Sequence, residues 1–595
     1  MLTRVSFRFS AGGLFAACFA GEGEDRIGLE AWSFEGPSPR WQPLRLARPP
    51  TLDDQPFPLD DGRILLCRNG AESHELSLID PRDGTGRERV LAVVDGCGFR
   101  LLPGAGNDAL AVAFDGARST IHRVSVDAAP HLAWLVELPG LLEGGVWLDS
   151  PATHLGVDLV DDGGPAKAVA VDLRDGSVTS LLKVTETSND RLLACDPRSG
   201  LLVVSTDALG AQRLGWGRLG ARSPVRFPQR LHGSAQPLTL DPEGQRVLLE
   251  SDEGARSRLA VYTPAEDRLA PVEMPPGRVR GAAYWGSGFL RFPFSSPSQP
   301  TGIATIGLGA APGCSLAGHA PQATSWTDAH IEWLEGAAGH VEAIVYGGEG
   351  WGANRHLLLA LHGGPVDAWR FEFEPFFQLL AAAGIAVVAP NQRGSSGYGT
   401  AHTLAIRGAW GGPDLDDVLC IARGIAAQRC ALGAGQLMLC GSSYGAFLAL
   451  LAASREPHLW SHCVALAPFL SGLRLYREAT PAVRELLERL GGLRELDDEL
   501  GPRDVLRLCH AVRAKLLIAH GDRDEVVPVS QSRALRQRLL ALGRQEHVDF
   551  TYVEVPGGHH GLRTDTAHAL HELLVHFLLG ATPDGATPSV PISNK

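Results

Sequence analysis

The chain has 595 residues, of which 44% are hydrophobic and 20% charged, with a formal net charge of -13. That length is too great for one ordinary core and the apolar content suffices for folding throughout, so at least two domains are expected and disorder is a local matter. The acidic balance excludes nucleic acid as partner, because a phosphate backbone requires a basic face.

Arg4 and Arg8 precede an apolar stretch, FSAGGLFAACFA, in the order of a secretory leader. The stretch is short and is broken by Ser10, Gly12 and Gly13, and Gly13 obeys a repeat described below, so a first β-strand is expected instead. No run reaches the roughly 18 apolar residues that span a bilayer, so no membrane association is expected. Ten cysteines (Cys18, Cys67, Cys97, Cys195, Cys314, Cys420, Cys430, Cys440, Cys463 and Cys509) lie mostly within apolar runs, without CxxC pairs or Cys/His clusters. They read as buried reduced thiols in a cytoplasmic protein, and neither a metal nor a cofactor is expected.

Residues 1 to about 310 repeat one pattern, a polar turn followed by four to six apolar residues, which is the grammar of strands. Its instances are SAGGLFAAC, LDDGRILLC, GAGNDALAVAF, SPATHLGVDLV, DPRSGLLVVS, DPEGQRVLLES and WGSGFLRF. The turn markers Gly13, Gly62, Asp108, His154, Gly200, Gly244 and Gly288 are 49, 46, 46, 46, 44 and 44 residues apart. A period in the mid-forties is one four-stranded propeller blade, and seven of them predict a seven-bladed β-propeller over 1–312. Closure removes the exposed strand edges that otherwise aggregate.

The segment 313–335, containing GCSLAGHAPQATSWTD, is turn-rich and aperiodic, and reads as the crossing between domains. From 336 to 581 short apolar runs (HLLLALH, IAVVAP, QLMLC, HCVALAP, KLLIAHG, DFTYVEV) alternate with helical patterns, one of them near Leu415 to Ala427. Strands buried on both faces and separated by helices predict a doubly wound, mostly parallel sheet, an α/β-hydrolase domain. The polar tail 582–595 is expected to be disordered.

The sharpest chemical signal is GSSYG at 441–445, set between the strand QLMLC and the helix AFLALLAAS. This is the setting of a nucleophile elbow: glycines permit a tight strand-to-helix turn that presents Ser443 at the edge of the sheet. The backbone N–H of Tyr444, opening the helix, is placed to stabilise an oxyanion. A serine needs a base and the base an orienting carboxylate, in the chain order Ser, acid, His. The strand KLLIAH runs into GDRDEVVP, with Asp522, Asp524 and Glu525, and DFTYVEV runs into PGGHHG, with His559 and His560. HGGP at 362–365 follows an early strand, where Gly363 or Gly364 can supply a second oxyanion N–H.

HGGP, NQRGSSGYG (391–399), WGGPDLDDV (410–418), GSSYGA, HGDRDEVVP and GGHHG together resemble the successive motifs of the prolyl oligopeptidase family, above all its acylaminoacyl-peptidase and dipeptidyl-peptidase-like branches. The resemblance covers about 340–580 by motif. It implies Ser443, Asp524 and His560 as the catalytic triad, with Tyr444 and Gly364 as the oxyanion hole. Prolyl oligopeptidase itself carries an Arg two residues after its catalytic Asp, where this chain has Val526, and a Tyr where this chain has His362. No counterpart of the dipeptidyl peptidases' glutamate pair is identifiable, so neither strict proline cleavage nor strict dipeptide release is implied. The expected function is hydrolysis of short peptides through an acyl-enzyme, with the propeller restricting access. The alternatives are an esterase or amidase for a small metabolite or a dedicated natural-product precursor, and an inert propeller-based binding protein. Composition leaves a homo-oligomer open.

Overall fold

The computed structural model describes residues 3–21, 27–36, 38–84, 86–126, 130–220, 225–229, 231, 235–309, 313–318, 326–561 and 567–580. The chain divides into two compact units. The first comprises Met1–Asp252, Ser257–Ser295 and Pro300–Pro321, and the second Glu253–Arg256, Ser296–Gln299 and Gln322–Lys595.

The first unit is a succession of antiparallel meanders. Four-stranded sheets occupy 3–44, 55–95, 98–139 and 236–272, and a five-stranded one 278–317. The sheet over 141–218 joins a four-stranded and a three-stranded meander through a single parallel pairing, Lys167 with Asp190. Inner strands such as Phe15–Gly21, Ile64–Asn69 and Leu201–Thr206 are buried almost throughout. Outer ones such as Arg40–Leu44 and Val178–Leu182 are largely exposed. Burial on both faces follows from stacking of consecutive sheets. Phe19 and Leu29 pack with Ile64 and Leu66 of the next sheet, and Leu65 and Cys67 with Phe99 and Ala111 of the one after. The last sheet returns to the first: Ile303 lies in one apolar cluster with Phe7, Cys18 and Trp32. The buried Arg4 adds a polar tie, pairing with Glu30 at 2.7 Å and donating to the carbonyls of Thr301 and Gly318. This is a propeller arrangement.

The first six turn markers fall between the first two strands of successive meanders, with His154 opening the second strand, and Gly288 falls between the second and third strands of the five-stranded sheet. Gly13 and Gly62 adopt φ of 67° and 86°; in the turns marked by Asp108 and His154, Gly106 (61°) and Ala152 (55°) take the left-handed place. The stretch after Arg4 forms two paired strands, Thr3–Phe9 and Phe15–Gly21. The expected crossing 313–335 holds two strands: Cys314–Ala317 pairs with Ile303–Ile306, and Ala329–Gly336 belongs to the second unit's sheet. The tail expected to be disordered, 582–595, lies outside the described residues. All ten cysteines are free, but only Cys18, Cys67, Cys440, Cys463 and Cys509 are buried; Cys97, Cys314 and Cys430 are exposed, correcting the expectation of buried thiols. Among the described residues no helix is long and apolar enough to cross a membrane.

The second unit is organised on an eight-stranded sheet: β1 (Ala329–Gly336), β2 (Gly339–Tyr346), β3 (His356–Leu361), β4 (Ile385–Pro390), β5 (Leu437–Ser442), β6 (Trp460–Leu466), β7 (Lys515–Gly521) and β8 (Phe550–Val555). Their order is β1-β2-β4-β3-β5-β6-β7-β8, antiparallel through β1, β2 and β4 and parallel from β4 to β8. Alternation along β3 shows why the run is apolar throughout. Leu357, Leu359 and Leu361 join the cluster on one face, with α2 (Pro413–Ala431), α3 (Tyr444–Arg455) and α4 (Ser530–Ala541). Leu358 and Ala360 join the cluster on the other, with α1 (Pro375–Ala382) and α5 (Ala567–Leu579). Every parallel strand therefore ends at one edge of the sheet, where α/β folds carry their sites.

Candidate active site

Ser443 caps the N-terminus of α3 with φ 54° and ψ -117°, a conformation a non-glycine residue occupies only under constraint. The constraint is visible on both sides. Its N–H donates to the Leu466 carbonyl of β6 at 2.8 Å, and its carbonyl accepts from Phe447 N–H at 3.1 Å. A Cβ on Gly441 would lie 2.1 Å from the Gly445 carbonyl oxygen, and one on Gly445 would lie 2.3 Å from that of Leu361. Both glycines are thus required by backbone contact.

The turn after β7 places Asp524 beneath the elbow. One carboxylate oxygen accepts from the N–H groups of Val526 and Val527 at 2.9 and 2.8 Å. The other accepts from His560 Nδ1 at 2.7 Å, and His560 Nε2 lies 3.0 Å from Ser443 Oγ. With Nδ1–H held by the carboxylate, Nε2 carries the free lone pair and the serine hydroxyl donates to it. Burial acts to raise the carboxyl pKa of Asp524, but hydrogen bonds from His520, His560 and Val527 and the imidazole charge outweigh it and hold the pKa well below the usual range. The neighbouring candidates are placed otherwise. Asp522 accepts from Gly557 N–H at 2.7 Å, and His559 and Glu525 are exposed.

Around this relay lie residues whose roles were not read from the sequence. His520, fully buried in β7, is 3.2 Å from Asp524 through Nε2 and 2.8 Å from the Val527 carbonyl. A carbonyl only accepts, so Nε2 carries the proton and Nδ1 accepts from the Ser532 hydroxyl at 2.7 Å. The signal was available: a histidine at the end of an otherwise apolar buried strand, four residues before an aspartate. Asp414, at the start of α2, is buried 2.5 Å from the Tyr444 hydroxyl. Burial pushes its carboxyl up to about 6 despite that hydrogen bond. Tyr444 therefore offers the reaction edge its backbone, whose N–H opens α3 and has no intrahelical acceptor.

Gly364 has φ of 117°, and a Cβ there would meet the amide nitrogens of Val366 and Asp367 at 2.7 and 2.8 Å. A Cβ on Gly363 would lie 3.7 Å from that of Ser443. The loop is held by the NQRGSSGYG segment. Asn391 accepts from Trp369 N–H at 2.7 Å and donates to its carbonyl at 3.0 Å. His362 Nε2 lies 2.7 Å from Ser395 Oγ, so this imidazole is turned into the protein rather than towards Ser443. Arg393 in turn grips Asp417 of α2 through Nε and Nη2, both at 2.9 Å. Val526 is partly exposed beside the relay.

A serine, imidazole and carboxylate in line at the C-terminal edge of a parallel sheet define a domain of the α/β-hydrolase class. Within that class, residues 369–582 match the model of the prolyl oligopeptidase family, and the chain carries a domain of that family. It is 29% identical over 220 residues to the uncharacterized peptidase YuxL of Bacillus subtilis (35% of this chain, 31% of that one). It is 26% identical over 259 residues to dipeptidyl aminopeptidase BIII of Pseudoxanthomonas mexicana (40% and 36%). The matched segments thus span about a third of these relatives' length. The fold is similar over almost the whole chain to that of the acylaminoacyl peptidase of Pyrococcus horikoshii, with a TM-score of 0.72 at 13% identity, covering 99% of this chain and 97% of that one.

Proposed function

We propose that this chain is a serine peptidase of the prolyl oligopeptidase type that hydrolyses short peptides through an acyl-enzyme. The observation that carries this reading is the unbroken relay from Ser443 Oγ to His560 at 3.0 Å and from His560 to Asp524 at 2.7 Å. His560 Nε2 takes the hydroxyl proton as Ser443 attacks the scissile carbonyl, and Asp524 holds the ring and stabilises its cation. The oxyanion that forms is received by the N–H groups of Tyr444 and Gly364. His560 then protonates the leaving amine, and the imidazole activates a water that releases the acyl group from Ser443.

The N-terminal unit enters the proposal as a filter: a seven-bladed ring that admits short or unfolded chains only. The even spacing of the turn markers and the cluster joining Ile303 to Phe7 and Trp32 support that blade count. The ten free cysteines accord with a reducing, cytoplasmic setting.

Ser443→Ala is expected to abolish labelling by a fluorophosphonate and to lower kcat/KM on aminoacyl and acylated-aminoacyl anilides by about 10⁴-fold or more. Labelling with turnover of simple acyl esters but of no peptide would transfer the chain to the esterases. Retained peptidase activity in the variant would remove Ser443 as nucleophile. A filter further predicts that rates fall steeply with peptide length and that folded proteins are not cut.

A further inference from the structure

Beside the oxyanion loop the second unit has a cavity of about 140 Å³, large enough for one apolar side chain. Its walls are Pro365, Val366, Leu404, Ile406, Trp410 and Leu490. Pro365 and Val366 directly continue Gly364, and the Trp410 ring meets that of Tyr444 edge-on with centroids 5.2 Å apart. The cavity thus adjoins both elements from which the oxyanion N–H groups come.

Thr403 and two arginines, Arg407 and Arg489, complete its lining, and no carboxylate does. Both are exposed, and neither side chain pairs with a described residue. Trp410 is buried, and its indole N–H has no acceptor among the described residues. A second cavity, of about 150 Å³, shares Trp410 but is lined by both signs of charge, Glu495, Asp497 and Asp504 among them, and two of its three arginines are engaged, Arg503 with Asp498 and Arg507 with Asp497. In a protein of net charge -13, two adjacent arginines without partners are a local exception that suits an anion.

We propose that this cavity is a substrate subsite for the C-terminal residue of the peptide, seating its apolar side chain while Arg407 and Arg489 receive its free carboxylate. The proposal rests on Ser443 being the nucleophile, and it narrows the substrate class to short peptides cut near a free C-terminus. The direction follows from the amide bond: the acyl-enzyme retains the N-terminal part, so a terminal carboxylate belongs to the leaving amine. Guanidinium groups bind carboxylates through charge-assisted hydrogen bonds, and at a partly exposed site the gain falls with salt.

The test is a pair of short peptides ending in phenylalanine, identical except that one has a free C-terminal carboxylate and the other a carboxamide. The expected kcat/KM ratio, carboxylate over amide, is about 10 or more at low ionic strength, a difference of about 1.4 kcal/mol. It falls towards 1 in Arg407→Gln/Arg489→Gln and falls with added salt. Fluorophosphonate labelling is measured in parallel to separate the two levels of inference. A labelled enzyme with a ratio near 1, or a double variant that keeps the wild-type ratio, overturns the subsite and leaves the peptidase reading standing. Absence of labelling overturns the nucleophile, and the subsite with it.

Discussion

In the proposed mechanism the imidazole at 560 works in one orientation only, and the Asp524 carboxylate holds that orientation at 2.7 Å. Asp524→Asn retains the shape but lets the amide donate where a carboxylate accepted, which favours the wrong tautomer. The expected result is a fall in kcat of about 10³ to 10⁴-fold, measured by steady-state kinetics, in a variant that calorimetry shows to be still folded. Asp414 offers a test through pH. Its folded pKa, about 6, lies above the ordinary carboxyl value of 3.8 because the group is buried. The folded state therefore holds this proton more tightly than the unfolded chain does. Its contribution to stability is complete below pH 3.8 and is lost as pH rises through 6. Asp414→Asn is expected to remove up to about 3 kcal/mol of pH dependence across that window, read from denaturant unfolding at a series of pH values. An unchanged pH profile would mean that the carboxyl is hydrated.

At the scale of elements, the passage from β5 through Ser443 into α3 is set by backbone contact, and two glycine substitutions separate contact from conformation. Gly445→Ala forces a methyl against the Leu361 carbonyl at 2.3 Å, where neither strand nor helix can yield cheaply. A loss of about 3 kcal/mol or more is expected, together with loss of labelling at Ser443. Gly384, after α1, has positive φ, 77°, and open space around it. Gly384→Ala should cost only the conformational strain, about 1 to 2 kcal/mol, and should leave labelling intact. Thermal unfolding followed beside active-site labelling distinguishes the two. The order of elements was legible because β3 to β8 are apolar runs of strand length separated by helical patterns. The antiparallel start was not: β1, AHIEWLEG, alternates and exposes Trp333, so it lacks the continuous apolar signature of the strands that follow. The helices Gly472–Glu478 and Pro481–Leu490, the second of which carries Arg489 and Leu490 of the proposed subsite, are short, and their packing sets their place.

Across the first unit, a long-range device shapes the fold. Arg4 reaches Thr301 and Gly318, 297 and 314 residues away, while pairing with the buried Glu30. Arg4→Ala strands that carboxylate in the interior, and the expected cost is about 3 to 5 kcal/mol, seen as a lowered unfolding transition of the propeller. A double variant, Arg4→Met/Glu30→Leu, should recover most of the loss, since removal of both charges leaves no unpaired ion.

The sequence alone determined the period of the first unit, the apolar strands of the second, and the elbow at Ser443, because each is a local pattern: turn residues at even steps, runs of buried side chains, glycines flanking a serine. The choice among Asp522, Asp524 and Glu525, or between His559 and His560, is spatial. It depends on which side chain a turn aims at a neighbouring strand, and only the folded chain brings Asp524 and His560 into line with Ser443. The same holds for Asp414 and the cavity beside Trp410. Their partners lie on other elements, and burial or a missing partner becomes visible only when those elements pack.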